Sequence, residues 1–317
     1  MWSPNYYNMF IEERKSGKNI KYYLVHSYRD ENNKVRKIRR YLGSNLSQKQ
    51  LDNLKKRAEE LINQQINELK TDIFEFSLSQ KEISKLNKYN DKIEIVHLDK
   101  KNWAQFTQDF VYNTNAIEGS TVFRDDVPEI LRKDKTSNPE ENETRGVAEA
   151  INFIKETKED LSLSLLKKLH KLCFKDSKDF AGNFRDVEVV IQNAKGDVVH
   201  TGVPVKDLDD ALNDLVLWYK KHKFRFKPLI LAIIIHNQFE HIHPYKDGNG
   251  RVGRLLLNFI LIKNKYPPIN IYLEDRFEYY KILQKYSRIH DLKSSIDFFV
   301  RQYKKTLEKV TTKHKEN

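Results

Sequence analysis

HPYKDGNGRVGR, residues 243–254, lies between two strongly apolar runs, LILAIII (229–235) and LLLNFILI (255–262). Each run is too short to cross a bilayer and is expected to be a buried helix. The stretch between them is then a polar turn: one core helix ends near His241 and the next begins near Gly250. Two glycines free the DGNG backbone to adopt conformations closed to other residues and to approach a ligand closely. Amide groups at such a turn, with the N-terminus of the following helix, form a cradle for an anion. Arg251 and Arg254 are three apart and share a face of that helix near its start. Cations there oppose the helix dipole, so an anionic ligand between them is expected. His243 has a near-neutral reference pKa, suited to taking a proton from an attacking hydroxyl. Asp247 lies where a carboxylate would hold Mg²⁺ against phosphate oxygens. Base, metal ligand, cradle and two cations together describe group transfer from a nucleotide.

The other residues of this region have quieter readings. Pro244 and Tyr245 are expected to be architectural. His236 and His241 lack a third ligand at suitable spacing, so packing or hydrogen bonding is expected of them. Cys173, the one cysteine of 317 residues, stands among apolar neighbours on a helical pattern and is expected in the core. A net charge of +12 favours anionic partners, or simply keeps a lysine-rich surface solvated. The N-terminus MWSPNYYNMF has no long apolar segment of the secretory kind, and a cytoplasmic protein without membrane spans is expected.

Along the chain, residues 1–75 are expected to form a basic head. KYYLVHSYRD and KVRKIRRYLG flank the turn-like ENN as a β-hairpin, and Ser47 with Gln50 caps a long amphipathic helix to about residue 70. Residues 76–125 are expected as a helical linker. It opens on a second capping box, Ser79 with Glu82, and contains a helix whose apolar face is marked by Trp103, Phe106, Phe110 and Ile117 and which Gly119 can end. Nearly everything in 126–310 is helical in pattern. The exception is VEVVIQNAKGDVVHT (187–201), two β-branched segments around a turn. Residues 311–317 are expected as a frayed tail.

The 243–254 stretch resembles the signature of the Fic family: His, x, Phe, x, Asp or Glu, Gly-Asn-Gly-Arg, x, x, Arg, here with Tyr245 in the Phe slot. AGNFRD (181–186), HNQFEHIHP (236–244) and FEYYKIL (277–283) extend the likeness over about 100–300. The resemblance implies a mainly α fold: a Fic-type helical domain with an inserted β-hairpin flap, preceded by the small β-hairpin-plus-helix head. It implies a protein adenylyltransferase that moves AMP from ATP to a tyrosine, serine or threonine hydroxyl and releases pyrophosphate, with ATP as substrate and Mg²⁺ as cofactor. His243 would be the base and Asp247 the metal ligand. Gly248, Asn249 and Gly250 would form the anion hole, with Arg251 on the inner phosphates and Arg254 on the γ-phosphate. The phosphorylating branch has lysine at the Gly250 slot, so Gly250 implies nucleotidyl transfer. The 187–201 hairpin would be the flap that pairs with a target segment, and Tyr280 would face the adenine, with Ser287 where some relatives have asparagine.

TNAIEG (114–119) reads, by itself, as an ordinary helix end. Within the family it resembles the inhibitory motif TxxxEG, carried by Thr114, Glu118 and Gly119. A bidentate Glu118 on Arg254 would occupy the cation that the γ-phosphate needs. The same carboxylate could serve removal of AMP from a target. Two other readings stay open: an enzyme mainly removing the mark, and a nucleotide-responsive binding protein acting through the basic head. Self-modification, nucleic-acid binding at 34–40 and the oligomeric state also stay open.

Overall fold

The structure, a computed structural model, describes residues 9–29, 35–192 and 198–312. The chain divides into two compact units, Met1–Lys85 and Leu86–Asn317. The division falls ten residues beyond the expected boundary near 75, and the helix carrying TNAIEG belongs to the larger unit rather than to a separate linker.

In the smaller unit the expected hairpin is a three-stranded antiparallel meander, because β1 (Phe10–Ser16) joins β2 (Asn19–Arg29) and β3 (Val35–Ser44). A two-residue Gly17–Lys18 loop, with Gly17 at φ 64°, closes β1 onto β2. The ENN turn itself (31–33) lies outside the described residues, as does Lys34. One face of the meander buries Leu24 and Ile38 against Ala58 and Ile62 of α1 (Gln48–Leu69). Ser47 and Gln50 meet at the start of α1, where the Ser47 amide and hydroxyl both donate to the Gln50 side chain. Along β3, Ile38 is buried, while Arg36, Lys37, Arg39 and Arg40 are exposed. Arg39 pairs with Glu12 at 3.3 Å, Arg40 meets Gln65 at 3.0 Å and Lys37 lies over the Phe10 ring at 5.9 Å. A second small hairpin follows, β4 (Lys70–Ile73) with β5 (Phe76–Ser79), turning on Phe74 at φ 57°. Helix α2 (Gln80–Asn87) opens on the second capping box, the Glu82 carboxylate accepting from the Ser79 amide at 2.8 Å.

The larger unit is helical. It contains α3 (Lys100–Ile117), α4 (Val127–Ile130), α5 (Pro139–Glu156) and α6 (Leu163–Phe174). Strands β6 (Val190–Gln192) and β7 (Val198–Thr201) then pair antiparallel, the turn at 193–197 lying outside the described residues. Helices α7 (Leu208–His222), α8 (Pro228–Ile242), α9 (Asn249–Lys263), α10 (Arg276–Ile289) and α11 (Leu292–Thr312) complete it. Every residue of α8 from Leu229 to Glu240 and of α9 from Arg251 to Leu261 is buried. Helices apolar on all sides belong in the middle of a core, and α8 and α9 pack directly on one another there. The turn joining them is thereby held on rigid elements. Cys173 is buried, and desolvation pushes its thiol up to about 12, as befits a packing residue. Among the described residues no helix is long and apolar enough to cross a membrane.

Candidate active site

Helix α8 ends at His243, whose backbone is left-handed at φ 55° and ψ 62°. The helix end leaves carbonyls without partners in the chain direction, and Arg185 collects them. Its Nε donates to the His243 carbonyl at 2.8 Å, and its backbone amide donates to the Pro244 carbonyl at 2.9 Å. The same guanidinium reaches the carbonyls of Val187 and Val203, which flank the open end of the strand pair. Asn249 closes the turn from the other side, accepting from the Tyr245 amide at 2.8 Å and donating to the Tyr245 carbonyl at 2.9 Å. Its side chain is therefore committed to the loop, and only its backbone amide can serve an anion. Tyr245, fully buried, stacks on His170 at 3.9 Å. Gly248 at φ 83° is the N-cap of α9, and a Cβ there would lie 2.3 Å from the Phe174 ring. Glycine is required at this position by both backbone and space.

A cavity of about 580 Å³ opens beside this turn, lined by His243, Gly250, Arg254, Glu118, Tyr280 and Ser287 among others. Burial and, after it, the neighbouring His200 lower the His243 imidazole to about 4. It is neutral at physiological pH, the form in which a ring nitrogen can accept a proton. Arg254 is almost wholly buried; its Nε donates to the Thr114 hydroxyl at 2.7 Å and its Nη2 to the Thr114 carbonyl at 2.9 Å. Nη2 also meets Glu118 Oε1 at 2.7 Å. The pair is made through one nitrogen and is not bidentate: Nη1 is buried and has no hydrogen-bond partner. Thr114 O is free to accept because the Glu118 amide turns to Asn115 O instead as α3 ends, with Gly119 following at φ 93°. Arg254 thus caps the same helix end whose carboxylate it holds.

Gly250 makes that approach feasible. A Cβ there would lie 2.2 Å from Glu118 Oε1 and 2.9 Å from Arg254 Nη1. The unpartnered Nη1 therefore lies beside the first turn of α9, whose leading amides have no partner four residues back. A buried guanidinium nitrogen without a partner, next to the leading amides of a helix, suits an anion by its chemistry. Arg251 and Asp247 sit apart from the cavity lining. Arg251 pairs with Glu143 and covers the Phe174 ring at 4.3 Å. Asp247, part-exposed, is 3.1 Å from Lys178 and 3.6 Å from Arg251. Burial raises its carboxyl, but these cations outweigh that and hold it below the usual range. Tyr280 donates its hydroxyl to the Ile117 carbonyl at 2.7 Å, so it too closes the end of α3.

Residues 160–261 match the sequence profile of the Fic/DOC family. The chain carries a Fic domain. It is 28% identical over 209 residues to the protein adenylyltransferase Fic of Nematostella vectensis, covering 62% of this chain and 47% of the relative. It is 32% identical over 184 residues to the protein adenylyltransferase Fic of Aedes aegypti, covering 55% and 36%. The chain spans less than half the length of either. The solved structure of Fic-1 from Caenorhabditis elegans shares the fold at TM-score 0.60 and 22% identity, over 86% of this chain and 79% of that one.

Other residues in and around this cavity complete its surroundings. Glu240 lines it from the last turn of α8, where desolvation raises its carboxyl to about 8, against the pull of Arg254. His200 reaches it from β7, and His241 Nδ1 lies 3.1 Å from Ser287 Oγ. His236 hydrogen-bonds the Gly253 carbonyl and Tyr279, within the core. Glu140, at the start of α5, accepts from the Thr121 amide at 2.8 Å, the Thr121 hydroxyl at 2.7 Å and the Ser120 hydroxyl at 3.2 Å. It ties down the segment directly after Glu118. Among the described residues no group of three or more histidine, cysteine or acidic side chains could hold a metal by itself.

Proposed function

We propose that this chain is an autoinhibited protein adenylyltransferase. Its relatives' names supply the class of reaction; the observation that carries the reading is the shared cavity, lined by His243 and Arg254, with Glu118 paired to Arg254. The triphosphate of ATP lies along the first turn of α9, where free amides and Arg254 Nη1 meet its charge. His243 accepts the proton of a target hydroxyl, and that oxygen attacks the α-phosphorus. A new phosphoester bond forms, the bond to the bridging oxygen breaks, and pyrophosphate leaves.

A single half-exposed carboxylate already satisfied by cations suits Mg²⁺ that arrives with ATP, because that ion keeps its phosphate and water ligands and takes one or two carboxylates. Asp247 would hold it, and when bound it would neutralise phosphate charge. Lys178 then gives up Asp247. With Glu118 on Arg254, the terminal phosphate loses its partner and the α-phosphorus sits out of line with the hydroxyl.

The same cavity supports the reverse step. Glu118 can take the proton of a water that attacks the phosphorus of an AMP-modified target; the bond from that phosphorus to the target oxygen breaks, the oxygen takes up a proton, and AMP leaves. The target protein, self-modification and the role of the head belong to this proposal only as open partners.

The test uses ATP labelled at either end. α-Labelled ATP should leave covalent label on protein hydroxyls in the Glu118→Gly variant, γ-labelled ATP should not, and His243→Ala added to that variant should abolish the label. Transfer of γ-label, or transfer unaffected by loss of His243, rejects the reading.

A further inference from the structure

The end of α8 needs one more partner than Arg185 supplies. The His241 carbonyl, two residues before His243, accepts a hydrogen bond from His200 Nε2 at 2.9 Å. A carbonyl only accepts, so Nε2 carries the ring proton and Nδ1 of the neutral ring is an acceptor. Ser287 Oγ, on α10, lies 3.1 Å from that Nδ1 and donates to it. Ser287 Oγ in turn lies 3.1 Å from His241 Nδ1, which donates to the serine. Three side chains and one carbonyl therefore close a ring of hydrogen bonds in which each group has one role. Burial lowers the His200 imidazole, in keeping with a neutral ring.

The ring joins three elements that the chemistry must hold at fixed spacing. β7 pairs with β6 through Ile191 and His200, forming the strand pair beside the cavity. α8 carries His243, whose ring centroid is 6.1 Å from that of His200. α10 supplies Ser287 at the cavity wall, seven positions after Tyr280. Resting on the adenylyltransferase reading, we propose that His200 is a positioning residue: by donating to the His241 carbonyl and accepting from Ser287, it sets the strand that receives the target against the turn that presents His243. It contacts neither reacting atom. Its work is to keep the hydroxyl and the base in register.

The experiment compares His200→Ala, His200→Gln, His200→Asn and Ser287→Ala, each in the full chain with Glu118→Gly. Glutamine places an amide N–H where Nε2 was, whereas asparagine reproduces only the Nδ1 acceptor. Loss of register by about 1 Å costs on the order of 100-fold, so His200→Ala should lower kcat for α-label transfer by roughly 10- to 100-fold while the KM for ATP changes by less than about threefold. His200→Gln should recover kcat to within about threefold of the parent, His200→Asn should not, and Ser287→Ala should fall between. Hydrogen–deuterium exchange supplies a readout independent of turnover. Peptides covering 198–203 and 241–247 should exchange faster in His200→Ala and at the parent rate in His200→Gln. A kcat for His200→Ala within about twofold of the parent, a glutamine variant as impaired as alanine, or unchanged exchange in both peptides overturns the proposal. If the Glu118→Gly parent transfers no label, the adenylyltransferase reading falls and exchange alone decides the role of His200.

Discussion

Glu118 and Arg254 stand 136 positions apart in the chain, and their side chains meet at 2.7 Å inside the cavity that also exposes His243. The contact stabilises two things at once. It offsets a carboxylate placed at the unfavourable C-terminal end of α3, and it partners a guanidinium that is almost wholly buried. Glu118→Gly is expected to raise α-label transfer from ATP by roughly 10- to 100-fold, since a misplaced triphosphate costs about that much in rate. It should also abolish any release of AMP from a modified target. Equal labelling by wild type and variant would show that the pair does not restrain transfer.

Glu140 predicts a partial release. Its carboxylate holds Ser120 and Thr121 through three hydrogen bonds, directly after the inhibitory glutamate. Hydrogen bonds to a charged group contribute about 1.5–3 kcal/mol, and removing them loosens the segment without touching the cavity. Glu140→Ala should raise transfer several-fold, by less than Glu118→Gly does. Combined with Glu118→Gly it should add nothing, because both changes act on one restraint. Additive activation measured in the double variant would place Glu140 on a separate path.

Gly248→Ala is expected to lower stability and transfer together. The residue has φ 83°, and the new methyl carbon would lie 2.3 Å from the Phe174 ring, which Arg251 covers. Left-handed strain and overpacking each cost about 1–3 kcal/mol, so a denaturant titration should show a loss of at least about 2 kcal/mol. A variant as stable as the parent would mean that the turn can move away from Phe174.

Much of this site was legible in the residues, and the reason is local. His243, Gly248, Asn249, Gly250 and Arg254 lie on one turn and the helix that starts from it, where spacing determines geometry. The buried helices on either side were legible too, since α8 and α9 carry the strongly apolar stretches LILAIII and LLLNFILI. What escaped depended on distant partners. Arg251 was expected on phosphates, but Glu143, 108 positions away, holds it in the ground state. Glu118 was expected to grip Arg254 with two oxygens; instead one oxygen meets Nη2, which also serves the Thr114 carbonyl, while Thr114 Oγ1 takes Nε and Nη1 has no hydrogen-bond partner. β1 and the β4–β5 hairpin were also missed. FIEERKS is heavily charged, and the second hairpin turns on Phe74 without the glycine or asparagine that marks such turns. Glu240 and His200 lie in stretches read for other reasons, HNQFEHIHP and the 187–201 hairpin, and only the folded cavity shows what they face.

The pH profile tests the two buried acids of the cavity together. His243, lowered to about 4, must be neutral to accept a proton, so protonation removes activity as pH falls through that value. Glu240, raised to about 8, is neutral below that pH and becomes an anion above it. It lines the same cavity, so its charge would repel the triphosphate and compete for Arg254. In the Glu118→Gly variant, kcat/KM for transfer should therefore be flat between the two values, falling below about 4 and again above about 8. Glu240→Gln cannot ionise, and it should erase the alkaline limb while leaving the acid limb in place. An alkaline limb that survives this substitution assigns the ionisation to another group, and an acid limb near the ordinary histidine value would mean that the imidazole is solvated during turnover.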